Sequence, residues 1–173
     1  VECAKEYGVN LYVRSSFSND TGTLVTEEDK MEKGVVVRGI ACDKDQTKFA
    51  ILSVPDRPGI AYKIFNAIAE AGINVDLIVQ SVHKNGVNDI LFTVSRKEAA
   101  RVKEILDPVS REIGASKVIS QEKVAKISAV GAGMALNPGV AAGMFKALAE
   151  RGINIEIIST SEIRISCLIA EDR

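Results

Sequence analysis

The residues whose spacing best suits binding chemistry lie at two Pro-Gly junctions, Pro58-Gly59 and Pro138-Gly139. Each junction follows an apolar run and precedes a helical pattern, so each places the N-terminus of a helix at the end of a strand. Backbone N–H groups are unpaired at a helix N-terminus, and the positive end of the helix dipole lies there. Such a position suits a carboxylate.

Side chains near the first junction offer hydrogen-bond acceptors for an ammonium group. Asp56 lies two residues before Pro58. The strand after the helix carries Asn74, Asp76 and Gln80, which alternation places on one face. Together with the helix N-terminus, these acceptors match the charge pattern of a small zwitterion, that is, a free amino acid. Asp56 can equally cap the helix, and Asn74 can be a turn residue, as can Asn154 in the corresponding position 80 residues later.

Motifs of catalysis and metal binding are missing from the sequence, which holds no glycine-rich phosphate loop, no G-x-S-x-G elbow and no H-E-x-x-H. His83, the one histidine, is interpreted as an exposed hairpin residue because no second histidine or cysteine is near it. Cys3, Cys42 and Cys167 are odd in number and far apart, which favours reduced thiols in a cytoplasmic protein. We therefore predict no catalytic residue and no metal site in this chain.

The composition is typical of a globular protein and gives no electrostatic hint of a charged partner. Of 173 residues, 46% are hydrophobic and 26% are charged, and the formal net charge is -1. This balance gives no reason to expect nucleic acid or an anionic membrane as a partner. No apolar run approaches the roughly 20 residues of a membrane span, and no signal peptide is recognisable.

An internal repeat organises the chain. Residues 58–81 recur at 138–161, at an offset of 80, and twelve of the 24 paired positions are identical. Asn85-Gly86 is a strong hairpin signal, and Pro108 is expected to break the second helix. The first copy predicts strands at 49–54, 73–83, 89–94 and 116–120, with helices at 60–71 and 97–113.

The resulting order, βαββαβ, is that of a ferredoxin-like sandwich, an α+β fold in which two helices cover one face of an antiparallel sheet. The second copy predicts strands at 125–130, 153–160 and 163–170 and a helix at 140–150, but it lacks a second helix and a fourth strand. The apolar run at 35–42 is predicted to fill the open edge. The first module would then comprise residues 47–121 and be nested inside a second, made of 35–46 plus 122–173.

These motifs resemble the tandem ACT domains of aspartate kinase. The run Ser159-Thr160-Ser161-Glu162-Ile163-Arg164-Ile165-Ser166 is the most specific. It is joined by Asp56-Arg57-Pro58-Gly59, Val130-Gly131-Ala132-Gly133-Met134 and Pro138-Gly139-Val140-Ala141. Because Val13-Arg14-Ser15-Ser16-Phe17-Ser18 resembles the end of the family's amino-acid-kinase domain, residues 1–34 are expected to be the tail of that domain and a linker.

The resemblance implies feedback control of ATP-dependent aspartate phosphorylation by lysine, threonine or both. The catalytic domain or subunit, which uses ATP and magnesium, would be the partner, so this chain is expected to hold no cofactor. Effectors would bind between the ACT modules of two chains in a homodimer. The implied effector-binding residues are Asp56, Gly59, Ile60, Ala61, Asn74, Asp76 and Gln80 in the first module and Ala141, Asn154, Ile155 and Ser161 in the second.

Several alternatives remain at this point. Ile60 and Ala141 stand where relatives often have a Glu and a Thr, which leaves the effector open. An ACT-type amino-acid sensor of another biosynthetic enzyme would share the Asp-x-Pro-Gly elements but would not explain the kinase-like residues 11–25. The cysteine count disfavours a ferredoxin-like metal or electron-transfer module. Without an initiator Met or a last helix, the chain is expected to be a fragment or a separate small subunit.

Overall fold

The computed structural model describes residues 2–25, 36–81, 85–131, 134 and 137–173. A short helix, α1 (Glu2–Glu6), precedes a two-stranded antiparallel sheet of β1 (Leu11–Val13) and β2 (Thr23–Val25). The other strands form one six-stranded sheet with the spatial order β4-β5-β3-β6-β8-β7. They are β3 (Gly39–Pro55), β4 (Ile78–Gln80), β5 (Val87–Val94), β6 (Lys117–Val130), β7 (Ile157–Thr160) and β8 (Arg164–Ala170). The remaining helices are α2 (Ile60–Glu70), α3 (Ala99–Ile113) and α4 (Val140–Ala149).

The first module is a complete βαββαβ unit built from β3, α2, β4, β5, α3 and the start of β6. Helices α2 and α3 pack on one face of its sheet, where apolar residues at helical spacing turn inward. Phe49 stacks on Phe92 with ring centroids 5.7 Å apart, and Phe65 meets Phe92 edge-on at 5.5 Å. This α+β architecture with an antiparallel sheet is the one that the sequence predicts.

The second module is built around β6, α4, β7 and β8. Leu148 of α4 packs on Ala125, Cys167 and Ile169 of the sheet. The first residues of β3 lie beside β6, with Gly39 paired to Val130. Residues 39–43 therefore extend the sheet of the second module, and the division of the chain into nested modules stays a prediction.

Strands β3 and β6 are longer than predicted. The sequence predicts separate strands on either side of polar stretches near residues 43–48 and 121–124, yet both strands run through these stretches without a break. The register between them shifts twice, between Asp43 and Gln46 and between Gln46 and Lys48. Such irregularities absorb extra residues in a ladder and bend the strand. The polar stretches are thus bends within strands and not ends of strands.

Strands β4 and β7 are shorter than predicted, and Pro108 does not break its helix. The chain enters both strands through irregular backbone, in which Ile73 and Ile153 pack against the two cores. Because apolar side chains are buried there, the sequence has the pattern of a strand, although these residues do not belong to one. Pro108 lies inside α3, which starts at Ala99 after a 3-10 turn, because Val102, Leu106 and Ile113 hold the helix against the core. His83 and the charged stretch at 27–33, the predicted linker, lie outside the described residues.

Apolar side chains from both modules pack together in one buried cluster. Leu77 precedes the edge strand β4, and Ile157 begins the opposite edge strand β7. The cluster links them through Val124 of β6 and Leu168 of β8. The two modules therefore share a core on the sheet face opposite the helices.

Candidate functional site

A cleft of about 500 Å³ lies at the N-terminus of α2. This volume is within the usual range of small-molecule sites. The end of β3 and the turn into α2 form one side, and β4 and β5 form the other. Five of the predicted effector-binding residues line the cleft: Asp56, Gly59, Ile60, Ala61 and Gln80. The other lining residues are Val54, Pro55, Arg57, Pro58, Asn88 and Ile90.

A β-bulge near the end of β3 sets the position of the cleft wall. The register between β3 and β5 shifts between Ile51 and Val54, and Ser53 has a φ of 52°, in the left-handed region. The N–H of Ser53 donates a hydrogen bond of 2.8 Å to the Asp89 carboxylate, which holds this conformation. Bulges of this kind redirect the chain, often next to functional sites. After the bulge, Val54 pairs with Asn88 across the floor of the cleft.

The first turn of α2 presents backbone donors to the cleft. Gly59 is the N-cap residue with a φ of 89°, a conformation that glycine adopts without strain. No side chain caps the helix and its first turn holds no acidic residue, so Asp56 does not act as the cap. Among the described residues, none accepts a hydrogen bond from the N–H of Ala61 or Tyr62. Ala61 lines the cleft and Tyr62 is the next residue of the helix. Unpaired amides at a helix N-terminus, together with the helix dipole, suit a carboxylate.

Asp56 and Asn88 supply the polar side chains on the β-strand side. Asp56 is exposed, whereas Asn88 is only 4% exposed. The Asn88 Nδ2 donates to Asp56 Oδ1 at 3.3 Å. Sequence reasoning missed Asn88 because it belongs to no motif. The alternation of β5 could have found it, since Asn88 shares the inward face of Ile90 and Phe92.

Two predicted residues of the first module lie away from the cleft. Asn74 is exposed and Asp76 is one-third exposed, and neither lines the cleft. The Asp76 carboxylate is bound by the ammonium group of Lys126, which belongs to the second module. The amino group that Asp76 contacts in this structure is therefore one of the protein's own.

The four predicted residues of the second module are not brought to the cleft within one chain. Ala141 and Ile155 are partly buried against the cores of their own module. Asn154 and Ser161 are exposed, and the N–H of Ser161 donates to the Arg164 carbonyl at 2.7 Å. Their assignment to an effector site stays a prediction.

Other binding chemistry is sparse in the described part of the chain. The cysteine and acidic residues of that part form no group of three or more that could hold a metal ion. Within the same residues, no helix is long and apolar enough to cross a membrane. The cysteines are free thiols; Cys3 and Cys42 are exposed, and burial raises the pKa of the Cys167 thiol.

Comparison with protein families defines the class of protein to which this fold and cleft belong. The ACT-domain family matches at residues 49–114, and a second ACT-domain family matches at residues 127–173. The chain therefore carries two ACT domains. The first match contains the whole cleft, and the second contains α4, β7 and β8.

Comparison with individual proteins identifies the family more narrowly. The chain is 44% identical to the ligand-free regulatory subunit of aspartate kinase from Thermus thermophilus, with a TM-score of 0.76 over 80% of this chain and 91% of that one. It is 48% identical to a chain in a structure of aspartokinase alpha and beta subunits, with a TM-score of 0.73 over 79% of this chain and 89% of that one. The aspartate kinase of Pseudomonas putida is 46% identical over 99% of this chain, which spans 42% of that enzyme. The chain belongs to the aspartate kinase family, of which it is the regulatory ACT region.

Proposed function

We propose that this chain senses lysine, threonine or both and transmits feedback inhibition to an aspartate kinase catalytic domain or subunit. The observation that carries the proposal is the cleft at the N-terminus of α2. Ala61, whose backbone amide has no acceptor among the described residues, lines this cavity together with Asp56, and the amide of Tyr62 follows it in the first turn of the helix. The kinase reaction, the phosphorylation of aspartate by ATP, would take place on the catalytic part.

A free amino acid fits the charges of the cleft. Its carboxylate would bind the amides of Ala61 and Tyr62, where the helix dipole is positive. Its ammonium group would bind the carboxylate of Asp56, a charge-assisted hydrogen bond of the stronger kind. Gln80 and Asn88 remain to contact the amino-acid side chain.

A second copy of the chain would close the cleft. The edge strands β4 and β7 expose Ile78 and Ile158, which occupy equivalent positions in the repeat and are 53% and 47% exposed. Apolar edge strands favour pairing with another chain. Ala141, Asn154, Ile155 and Ser161 of the partner would complete the site. Sedimentation should therefore show dimers at micromolar concentration, and monomers with and without both amino acids would contradict dimerisation.

Effector binding would inhibit the kinase by stabilising one dimer arrangement. A ligand can shift an equilibrium between two arrangements only by its difference in affinity for them. Couplings of this kind typically amount to about 1–3 kcal/mol. The attached catalytic domain would be inactive in the arrangement that binds the effector more tightly.

The test uses the enzyme that contains both catalytic and regulatory parts. A bulky residue at Ser161, which is exposed, should obstruct the shared site without disturbing a core. We expect Ser161→Phe to leave the kinase active in concentrations of lysine and threonine that inhibit the unchanged enzyme. The matched control is Ser18→Phe, at an exposed serine outside both modules, which should stay sensitive. Inhibition of Ser161→Phe at unchanged effector concentrations would contradict the shared site.

A further inference from the structure

The strongest unexplained feature of the cleft is the side-chain oxygen of Asn88. Asn88 is 4% exposed, and its Oδ1 is shielded from solvent and accepts no hydrogen bond from any described residue. A buried acceptor without a partner destabilises the folded chain. Unsatisfied buried groups are rare in native proteins and call for a specific explanation. Because Asn88 lines the cleft, a bound molecule is the natural source of the missing donor.

The neighbouring carboxylate fixes which end of the Asn88 amide needs a partner. Asp56 Oδ1 lies 3.3 Å from the Asn88 Nδ2, and an ionised carboxylate can only accept hydrogen bonds. The amide therefore directs its NH2 group to Asp56 and leaves Oδ1 as an acceptor. The χ2 torsion of asparagine is soft, so a small rotation can turn Oδ1 into the cleft.

The fold itself does not require an amide at this position. Gln80 of β4 pairs with Ile90, and Thr160 of β7 pairs with Ile165. Two residues before these isoleucines, the first module has Asn88 and the second module has Ile163. In the second module this position falls in the bend just before β8 and carries an apolar side chain that is 38% exposed. A buried amide at this position is thus not repeated in the second module.

We propose that Asn88 Oδ1 accepts a hydrogen bond from the side chain of the bound amino acid and so selects residues that end in a hydroxyl or ammonium group. This inference rests on the proposed function, in which the helix amides bind the α-carboxylate and Asp56 binds the α-ammonium group. Both charges of the zwitterion are then matched. Asn88 is uncharged and more deeply buried than Asp56, which suits it to a third group of the ligand.

Selection of this kind follows from the cost of leaving Oδ1 without a donor. An apolar amino acid of the same shape would fill the cleft and leave the oxygen without a donor, whereas a polar one would supply the missing hydrogen bond. A site built to hydrogen-bond a polar group rejects analogues that lack it more strongly than an apolar pocket rejects a changed methyl group. Threonine and valine are such a pair of analogues, and so are lysine and norleucine.

The test is a calorimetric titration of the chain with threonine, valine, lysine and norleucine. We expect the chain to prefer the amino acid with the polar side chain by at least tenfold within the pair that binds. Asn88→Ile introduces the residue type found at Ile163 in the second module. In this variant the ratio of the two affinities should fall to about one. Asn88→Ala serves as a second variant if Asn88→Ile does not fold, as judged by circular dichroism. Asn10→Ile, at an exposed asparagine before β1, is the control and should keep the preference.

The outcomes separate this inference from the proposed function. If the unchanged chain binds neither threonine nor lysine, the proposed function fails. If it binds one of them and a folded Asn88 variant keeps the preference over the apolar analogue, the role of Asn88 is overturned and the proposed function stands. A variant that loses affinity equally for both members of a pair would also overturn the role, because a general structural effect would explain it.

Discussion

Asp56 is the one carboxylate among the described residues that line the cleft, so the proposed recognition of an α-ammonium group depends on it. We expect Asp56→Ala to weaken amino-acid binding by roughly ten- to a hundredfold, the effect of losing a charge-assisted hydrogen bond worth about 1.5–3 kcal/mol. Titration calorimetry measures the change. Asp107→Ala, at an exposed position on α3, is the control and should bind normally. Equal affinities of the two variants would remove Asp56 from the site.

Asp43 contributes a pH dependence to stability. Burial alone raises the pKa of its carboxyl, but hydrogen bonds from the Asp45 N–H and from Gln46, together with the charge of Lys126, outweigh burial and lower that pKa below 3.8. A carboxyl whose pKa is lowered in the folded chain stabilises the fold when the pH is above its ordinary pKa. This stabilisation is lost as the pH falls through the lowered pKa. In Asp43→Asn, the free energy of unfolding should therefore fall less steeply than in the unchanged chain as the pH drops below about 4. Urea unfolding at several pH values measures this free energy. Parallel pH profiles for Asp43→Asn and the unchanged chain would contradict the role of Asp43 in the pH dependence.

At the residue scale, the sequence predicts the members of the cleft that belong to a local motif. Asp56, Gly59 and Gln80 follow from the Pro-Gly junction and the strand beyond it. The partner of Asp76 could not be predicted, because Lys126 lies in the other module and meets Asp76 only in the folded sheet. The alternation of β5 could have placed Asn88 on the inward face, but only the folded chain shows that its Oδ1 has no hydrogen-bond donor among the described residues.

At the scale of elements, two ion pairs join the modules. Lys48 on β3 binds Glu156 of the second module, and Lys126 on β6 binds Asp76 of the first. Asp76 and Glu156 are equivalent in the repeat, so the two contacts are related by the symmetry of the modules. Both lysine side chains are less than one-fifth exposed, which shields the pairs from solvent. The pairs flank the shared cluster and fix how the modules meet.

Removing one lysine leaves its carboxylate in a partly buried place without its partner. We expect Lys126→Met and Lys48→Met each to lower the free energy of unfolding by about 1–3 kcal/mol, between the values for exposed and buried pairs. The control is Lys63→Met, whose pair with Glu112 is more than half exposed on both sides and should matter by less than about 1 kcal/mol. Urea unfolding provides the comparison. Losses no larger than in the control would show that these pairs do not hold the modules together.

The sequence predicts the order of elements but not all of their ends. Alternation and helical spacing are local, so the helices and strands β4 and β5 could be placed from short stretches of the sequence. The length of β3 depends on β6, a partner about 80 residues away, whose pairing carries the strand across Asp43–Lys48. Such non-local pairing overrides the polar composition that otherwise marks a strand end.

At the scale of the whole molecule, the continuous sheet and the shared cluster should make the two modules unfold together. Leu168 is fully buried in the second module and packs in the cluster that contains Leu77 of the first. We expect Leu168→Ala to cost about 2–5 kcal/mol. Hydrogen exchange should then accelerate by the same factor at Ile64 in the first core and at Ile169 in the second. Acceleration confined to the second module would show that the modules unfold independently.

The central claim is that the cleft at the start of α2 binds an amino acid, and the most direct test is an amide NMR titration of the chain with lysine and with threonine. We expect one of them to shift the backbone N–H signals of Ala61 and Tyr62 and the side-chain amide signals of Gln80 and Asn88, with saturation. Glycine serves as a control for the effect of a bare zwitterion. Signals that stay unchanged at these four residues with both amino acids, or that shift only in the second module, would contradict the claim.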